Sequence, residues 1–489
     1  MNLQRVKNFF QLKNNKIFDG YIRILGGHTT ASFFSFLLNY IAAAKLGPSL
    51  WGFWQQAVIV QRSLNLSNLG TADYLTRELA LKDDDIARSN SEDSNITSSL
   101  ILSFIVLLLF NSLIFFNLSS FEGNIFIPII MIMSFTTMIS IFSGNVLVGE
   151  RKTTNYSIFL FITALMHAFG ICFIFWSEVV GFSIWIILVS LGPALAGFYF
   201  VKYKWLYINF SKSIKSLIFS ARHFFLASVL VFLAHFVDRI MVVNIFGVEY
   251  LGVYSLALLV ATPLHLLTSA SDKIFYPMIV NRYGFKQDTV NATHFSLLYL
   301  KILLPLSFSF IFILTALFLL ISPIFFPDYN IDYIVLSNTV ISYAFLYICS
   351  PGASALAAIG KMNIYNRILI GQILFVALLA GIGAKSSMDI LGVSIIILIA
   401  NFFVWVFCSL MGIFNENKLT FRNSYKMILA CLTVTFTLVI FNFAYKWEYL
   451  VFFSEQKGII FNLLIATVFM VMFSYIEIKK LFMQRGSHE

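Results

Sequence analysis

The sequence predicts an all-α integral membrane protein of about fourteen transmembrane helices: two six-helix halves and two extra C-terminal helices. Three observations predict it. The first is composition. Of 489 residues, 59% are hydrophobic and only 11% are charged, against roughly 25% charged in an ordinary soluble domain. With Phe alone occurring 55 times, there is too little charge to cover a water-facing exterior. The second is the regular recurrence of apolar runs long enough to cross a bilayer. The third is an internal repeat.

A helix needs about 20 apolar residues to cross the hydrocarbon core. On that basis spans fall near 24–46, 53–75, 98–117, 125–148, 156–177, 181–201, 223–246, 252–275, 295–322, 333–355, 368–384, 390–412, 426–445 and 458–477. The first run is too long for a signal-peptide core and lacks a cleavage site, so it is expected to remain as the first span. An even number of spans puts both termini on one side. The segments on that side hold 25 of the 33 Lys and Arg residues, whereas the opposite loops hold only Lys385, Lys446 and Lys457, with Lys45 near a helix end. This bias predicts cytoplasmic termini. It also explains the net charge of +10 without nucleic acid. The opposite loops are too short for a folded domain.

The repeat appears as two gapless matches. At an offset of 200 residues, "KLGPSLWGFW" (Lys45–Trp54) pairs with "IFGVEYLGVY" (Ile245–Tyr254), aligning Gly47 with Gly247 and Gly52 with Gly252. At an offset of 211, "GERKTTNYSI" (Gly149–Ile158) pairs with "GKMNIYNRIL" (Gly360–Leu369), and Gly170 and Gly181 then meet Gly381 and Gly392. Each copy holds six spans, so the copies keep one orientation and are related by a pseudo-twofold along the membrane normal. The expected domains are residues 1–222, 223–414 and, without a repeat partner, 415–489. Two six-helix halves around a midplane site are a transporter layout.

The most polar span is the second, "LWGFWQQAVIVQRSLNLSNLG" (Leu50–Gly70). At about 100° per residue, Gln55, Gln61, Arg62, Asn65, Asn68 and Asp73 share an arc of roughly 140°. A charge in mid-membrane is costly and usually faces a bundle interior or a watered cavity. Arg62 there suits an anionic headgroup, since guanidinium pairs well with phosphate. A structural ion pair is the competing role. The 200-residue offset maps Arg62, Asn65, Asn68 and Asp73 onto Thr262, His265, Thr268 and Lys273, so the repeat mate is polar too. His265 is a cavity candidate that titrates near neutrality, or a packing hydrogen-bonder. In span 7, Arg239 is a second basic candidate. Its neighbour Asp238 is either a structural counter-ion or a coupling-ion site. Asp73, Asp272 and Lys273 are gate candidates or interfacial anchors.

Several segments in their order resemble the polysaccharide-type flippases of the multidrug/oligosaccharidyl-lipid/polysaccharide (MOP) exporter superfamily. They are "LGPSLWGFW" between spans 1 and 2, "LSNLGTADYLTREL" ending span 2, "DRIMVVNIFGVEYLGVYSLA" across spans 7 and 8 with "FYP" after it, and "ALAAIGKMNIYNRI" leading into span 11. The resemblance covers roughly residues 20–415. It implies a bacterial inner-membrane flippase that carries undecaprenyl-pyrophosphate-linked O-antigen or capsule repeat units to the outer leaflet by alternating access. That is a lipopolysaccharide or capsular polysaccharide biosynthesis role, with glycan polymerase and chain-length proteins as partners. Two sibling branches match less well. Multidrug antiporters place a carboxylate in the first span, and residues 24–46 contain no Asp or Glu. Peptidoglycan-precursor flippases place an arginine there, whereas Arg23 and Lys45 lie only at its ends.

No enzyme signature is present: no phosphate-binding glycine loop, no metal-spaced His or Cys cluster, no nucleophile elbow. The expectation is therefore no catalytic residue, no metal and no cofactor, with H+ or Na+ coupling left open beside the substrate's own gradient. Cys172, Cys349, Cys408 and Cys431 fall in apolar runs and read as packing residues. The alternatives are a drug or cation antiporter of the same fold and, from another class, a membrane glycan polymerase or transferase.

Overall fold

The structure, a computed structural model, describes residues 15–80, 90–116, 124–202, 210–283, 289–329, 332–385 and 389–414. Every regular element among them is helical. Ten helices among the described residues are long and apolar enough to cross a membrane. They take up the third to twelfth predicted spans in turn. The first predicted span and the first part of the second, up to Leu64, lie on helix α1, and the last two spans, with the expected domain 415–489, lie outside the described residues.

Helix α1 runs Asn15–Leu64 through a break at Gly47, whose φ of 70° and ψ of 173° are non-helical. That backbone region is essentially reserved for glycine. Pro48 follows, in the first turn of the resumed helix, where its missing N–H is not needed. A short 3-10 turn, Asn65–Asn68, ends at Leu69 in the left-handed region. Then come α2 (Thr71–Ala80), α3 (Asn90–Phe116), α4 (Phe126–Gly149), α5 (Thr153–Trp176) and α6 (Glu178–Val201). Helices α7 (Phe210–Phe246), α8 (Val248–Tyr283), α9 (Thr289–Phe325), α10 (Tyr333–Ile348), α11 (Ser350–Ala358), α12 (Met362–Lys385) and α13 (Ile390–Ser409) complete the set.

Span 2 departs from the sequence expectation. A continuous helix over 53–75 is replaced by a helix ending at Leu64, the turn, Gly70 at φ 70° and a new helix. The cause is local. Asn68 Oδ1 accepts from the Gly70 N–H at 2.6 Å, and Thr71 Oγ1 donates to the Asn68 carbonyl at 2.7 Å. Such side-chain bonds compete with the helix ladder. The single polar arc therefore holds only to the end of α1, and Asn65, Asn68 and Asp73 are aimed independently of it.

The described residues form two compact units. The first comprises those of Met1–Ala42, Ala57–Val229 and Ser269–Phe285. Its core pairs α5 with α6: a Cβ at Gly170 would fall on the Trp185 ring, and one at Gly181 on the Phe173 carbonyl. Trp185 Nε1 donates to His167 Nδ1 at 3.3 Å.

The second unit comprises the described residues of Ala43–Gln56, Leu230–Thr268 and Lys286–Glu489. Phe345 of α10 packs edge-on to Phe308 and Phe402 and lies 5.5 Å from Trp405. The aligned glycines of the 200-residue offset meet here. Gly47 and Gly247 both have positive φ, at 70° and 96°. A Cβ at Gly52 would strike the Val248 carbonyl oxygen, and one at Gly252 the Pro48 carbonyl oxygen. Residues 48 and 248 are themselves 200 apart, so the two contacts are mates under the same offset. The 211-residue offset has no such counterpart, because positive φ falls on Arg151 in one copy and on Gly360 in the other.

Polar side chains inside the spans are largely absorbed by their own helices. Thr262 Oγ1 donates to the Leu258 carbonyl at 2.7 Å and Thr268 Oγ1 to the His265 carbonyl at 2.9 Å, the back-bonding that lets hydroxyls sit among apolar residues.

Candidate functional site

Two polar centres emerge, one in each unit. In the first unit, Arg62 occupies the last turn of α1 and is exposed. A cation there complements the negative end of the helix dipole. Gln61 and Asn65 are half-buried, while Asn68 is buried and its carbonyl is committed to the turn. The turn is held tightly: a Cβ at Gly70 would overlap the backbone of Phe224 and Phe225, and Tyr74 meets the Phe224 ring edge-on at 6.2 Å.

Of the gate candidates, Asp73 is exposed and accepts from Asn145 Nδ2 at 3.2 Å. Thr76 Oγ1 donates to the Asn145 carbonyl at 3.2 Å, so Asn145 ties α2 to α4. Beyond the apolar part of α8, burial raises the Tyr276 phenol above its ordinary pKa, with Arg77 opposing and Asp73 and Glu78 adding to the rise. Asp272 is half-buried one turn earlier, with Lys273 next to it in the chain.

In the second unit Gln55 is buried, and the main polar feature is built around Asp238 of α7. The carboxylate is 1% exposed. Its Oδ2 accepts from Tyr254 Oη at 2.7 Å and from Tyr343 Oη at 2.8 Å, and its Oδ1 accepts from the Arg239 backbone N–H at 2.8 Å. The two phenols come from α8 and α10, so one carboxylate joins three helices. The Tyr343 hydroxyl also lies 3.0 Å from the His235 carbonyl. Arg239, also buried, lays its guanidinium carbon 4.4 Å from the Phe236 ring centre, in cation–π contact.

Beside this knot lie three half-buried rings: His235, Tyr347 and His265. His265 and His235 stand 4.9 and 5.8 Å from the Tyr347 ring centre. Sequence reasoning found Asp238, Arg239 and His265 but not His235, Tyr254, Tyr343 or Tyr347. The spacing of Tyr343 and Tyr347, one helical turn apart, was the available signal. A third polar track joins Gln372 of α12, Asn401 of α13 and Ser342 of α10: Gln372 Nε2 donates to Asn401 Oδ1, and Asn401 Nδ2 donates to Ser342 Oγ at 2.9 Å. Among the described residues no group of three His, Cys, Asp or Glu is placed to hold a metal.

No protein-family model and no curated protein matches the chain. Solved structures do. A mutant of the Vibrio cholerae MATE transporter VcmN is 18% identical, with a TM-score of 0.60 over 83% of this chain and 96% of that one. A MOP-superfamily transporter from Pyrococcus furiosus, for which reversed polarity of the binding pocket suggested a different function, is 16% identical, with a TM-score of 0.59 over 80% and 94%. A multidrug resistance MATE family transporter of the MOP superfamily in an inward-facing conformation is 15% identical, with a TM-score of 0.54 over 80% and 97%. The chain thus has the fold of MOP-superfamily transporters.

Proposed function

We propose that the chain is a secondary transporter that exports an undecaprenyl-pyrophosphate-linked oligosaccharide from the cytoplasmic to the outer leaflet of a bacterial inner membrane by alternating access. In this reading both termini are cytoplasmic, fourteen helices span the bilayer, and no catalysis takes place. A proton or sodium gradient, or the substrate's own gradient, drives the movement. Glycan polymerase and chain-length proteins would act on the product.

One observation carries the choice of substrate class. Among the described residues of the second unit's spans, the carboxylates are Asp238 and Glu249, the latter in the first turn of α8. Asp238 is saturated by three donors and followed in the chain by the Arg239 cation. Apart from Glu249, exposed at the very start of α8, a bound organic cation would find no open carboxylate in these spans among the described residues. The exposed Arg62 offers the charge that a pyrophosphate seeks.

The second reading, a drug or cation antiporter, is favoured by the comparisons themselves, since the MATE structures of this fold include a multidrug resistance transporter. On the fold alone it has the better support. A gene deletion separates the two. The flippase reading expects lipid-linked repeat units to accumulate at the cytoplasmic leaflet, with drug susceptibility unchanged. Normal surface glycan combined with heightened drug sensitivity would establish the antiporter instead.

A further inference from the structure

The Asp238 knot supports a surface feature whose chemistry is more specific than its charge. Tyr343 is 1% exposed, and its single hydroxyl proton is shared between Asp238 Oδ2 at 2.8 Å and the His235 carbonyl at 3.0 Å. The Tyr347 ring, one turn further along α10, lies 5.8 Å from the Tyr343 ring. His235 stacks on Tyr347 with 25° between the planes, and His265 approaches the same ring at 53°. Three helices thus deliver three half-buried rings around one buried phenol whose hydroxyl is held between Asp238 and the His235 carbonyl. Half-buried imidazoles inside membrane-spanning helices belong toward a watered site rather than lipid, because desolvating their polar edges is costly.

We propose that His235, Tyr347 and His265 form a stacking shelf for one sugar ring of the transported headgroup, with Asp238 and Tyr343 as positioning residues beneath it. This rests on the glycan reading of the function. The choice of rings identifies the occupant. The chain holds 55 Phe and 7 Trp, either of which would give a flat apolar drug a better face. The shelf instead uses three rings that each carry a hydrogen-bonding edge. A pyranose has the matching form: a C–H face that lies on an aromatic ring and a rim of hydroxyls that seeks donors and acceptors. The charge beneath the shelf also balances, since Asp238 sits next to Arg239. The shelf therefore reads ring shape and leaves the pyrophosphate to basic groups elsewhere.

The test uses the purified full chain in lipid nanodiscs and calorimetric binding of defined probes. The probes are a short-chain polyprenyl pyrophosphate bearing no sugar and the same compound bearing glucose, galactose or either 2-acetamido derivative. In the wild type at least one sugar should tighten binding about five- to tenfold, the scale of one ring-stacking contact. Tyr347→Leu should erase that gain while leaving affinity for the sugarless probe unchanged, and Tyr347→Phe, which keeps the ring face, should retain most of it. A sugar gain that survives in Tyr347→Leu, or no gain with any of the four sugars, overturns the shelf while the flippase reading stands. Failure of every pyrophosphate probe to bind overturns both. Tight binding of ethidium that Tyr347→Leu abolishes would show the shelf serving an aromatic cation, which also overturns the sugar assignment. Equal melting temperatures for Tyr347→Phe and Tyr347→Leu guard against misfolding as the cause.

Discussion

Replacing Asp238 by alanine gives the sharpest test of the buried knot. The substitution removes the acceptor of two phenolic hydrogen bonds, at 2.7 and 2.8 Å. Hydrogen bonds to a charged group contribute about 1.5–3 kcal/mol each, so the two together are worth roughly 3–6 kcal/mol. Tyr343 keeps a contact to the His235 carbonyl at 3.0 Å, which trims the loss. The change also leaves Arg239 as a buried cation beside no anion. Removing the neighbouring carboxylate from a buried cation costs up to about 3–5 kcal/mol, the value for a directly paired charge. The two routes agree, and we expect Asp238→Ala to lose about 4 kcal/mol. The double variant Asp238→Ala, Arg239→Ala should lose less than the sum of the singles by about 1–3 kcal/mol, because the stranded cation is gone. Asp238→Asn, which keeps one carbonyl oxygen for the phenols, should fall between wild type and Asp238→Ala. Reversible unfolding of the purified protein in mixed micelles, followed by tryptophan fluorescence, supplies the free energies. Strict additivity of the double variant, or an Asp238→Ala protein as stable as wild type, would show that the carboxylate neither holds the two phenols nor offsets the Arg239 charge.

Other predictions follow from single contacts. Gly52→Ala and Gly252→Ala each drive a methyl onto a carbonyl oxygen, and each should cost about 2–3 kcal/mol or more, with similar losses of melting temperature because the contacts are reciprocal. Gly47→Ala meets nothing within 4 Å and should cost only the backbone strain, about 1–3 kcal/mol, in the same melt. Asn338 is fully buried in α10 with neither amide atom bonded, so Asn338→Leu should hold or raise stability by about 1 kcal/mol; a large loss would reveal a partner. For Arg62, alanine should abolish export at equal protein level and lysine should restore part of it, measured as surface glycan; full activity of the alanine variant removes Arg62 from the site.

The sequence carried the span pattern well, because ten apolar runs of bilayer length leave little alternative to transmembrane helices. It also carried the glycine repeat. Only a close backbone crossing demands glycine at both 52 and 252, and the reciprocal contacts supply it. Span 2 was misjudged for a physical reason. Its run of Asn and Ser with a terminal Gly is turn chemistry, and Asn68 uses it, yet the periodicity of the polar residues suggested one helix. The Asp238 knot was half legible. A carboxylate and a guanidinium stand out in an apolar run, but Tyr254 and Tyr343 are two of 21 tyrosines. Their role depends on α7, α8 and α10 meeting, which no local pattern reveals.

Movement of a lipid-linked glycan by this chain, as proposed, can be watched directly. The most direct measurement places the purified protein in liposomes carrying a fluorescent polyprenyl-pyrophosphate sugar and follows the loss of accessibility to a reagent confined outside. Label should cross between leaflets faster with the wild-type protein than in protein-free liposomes, and Arg62→Ala should return the rate to the protein-free value. Rates equal to those of protein-free liposomes, alongside gradient-driven uptake of ethidium by the same preparation, would contradict it.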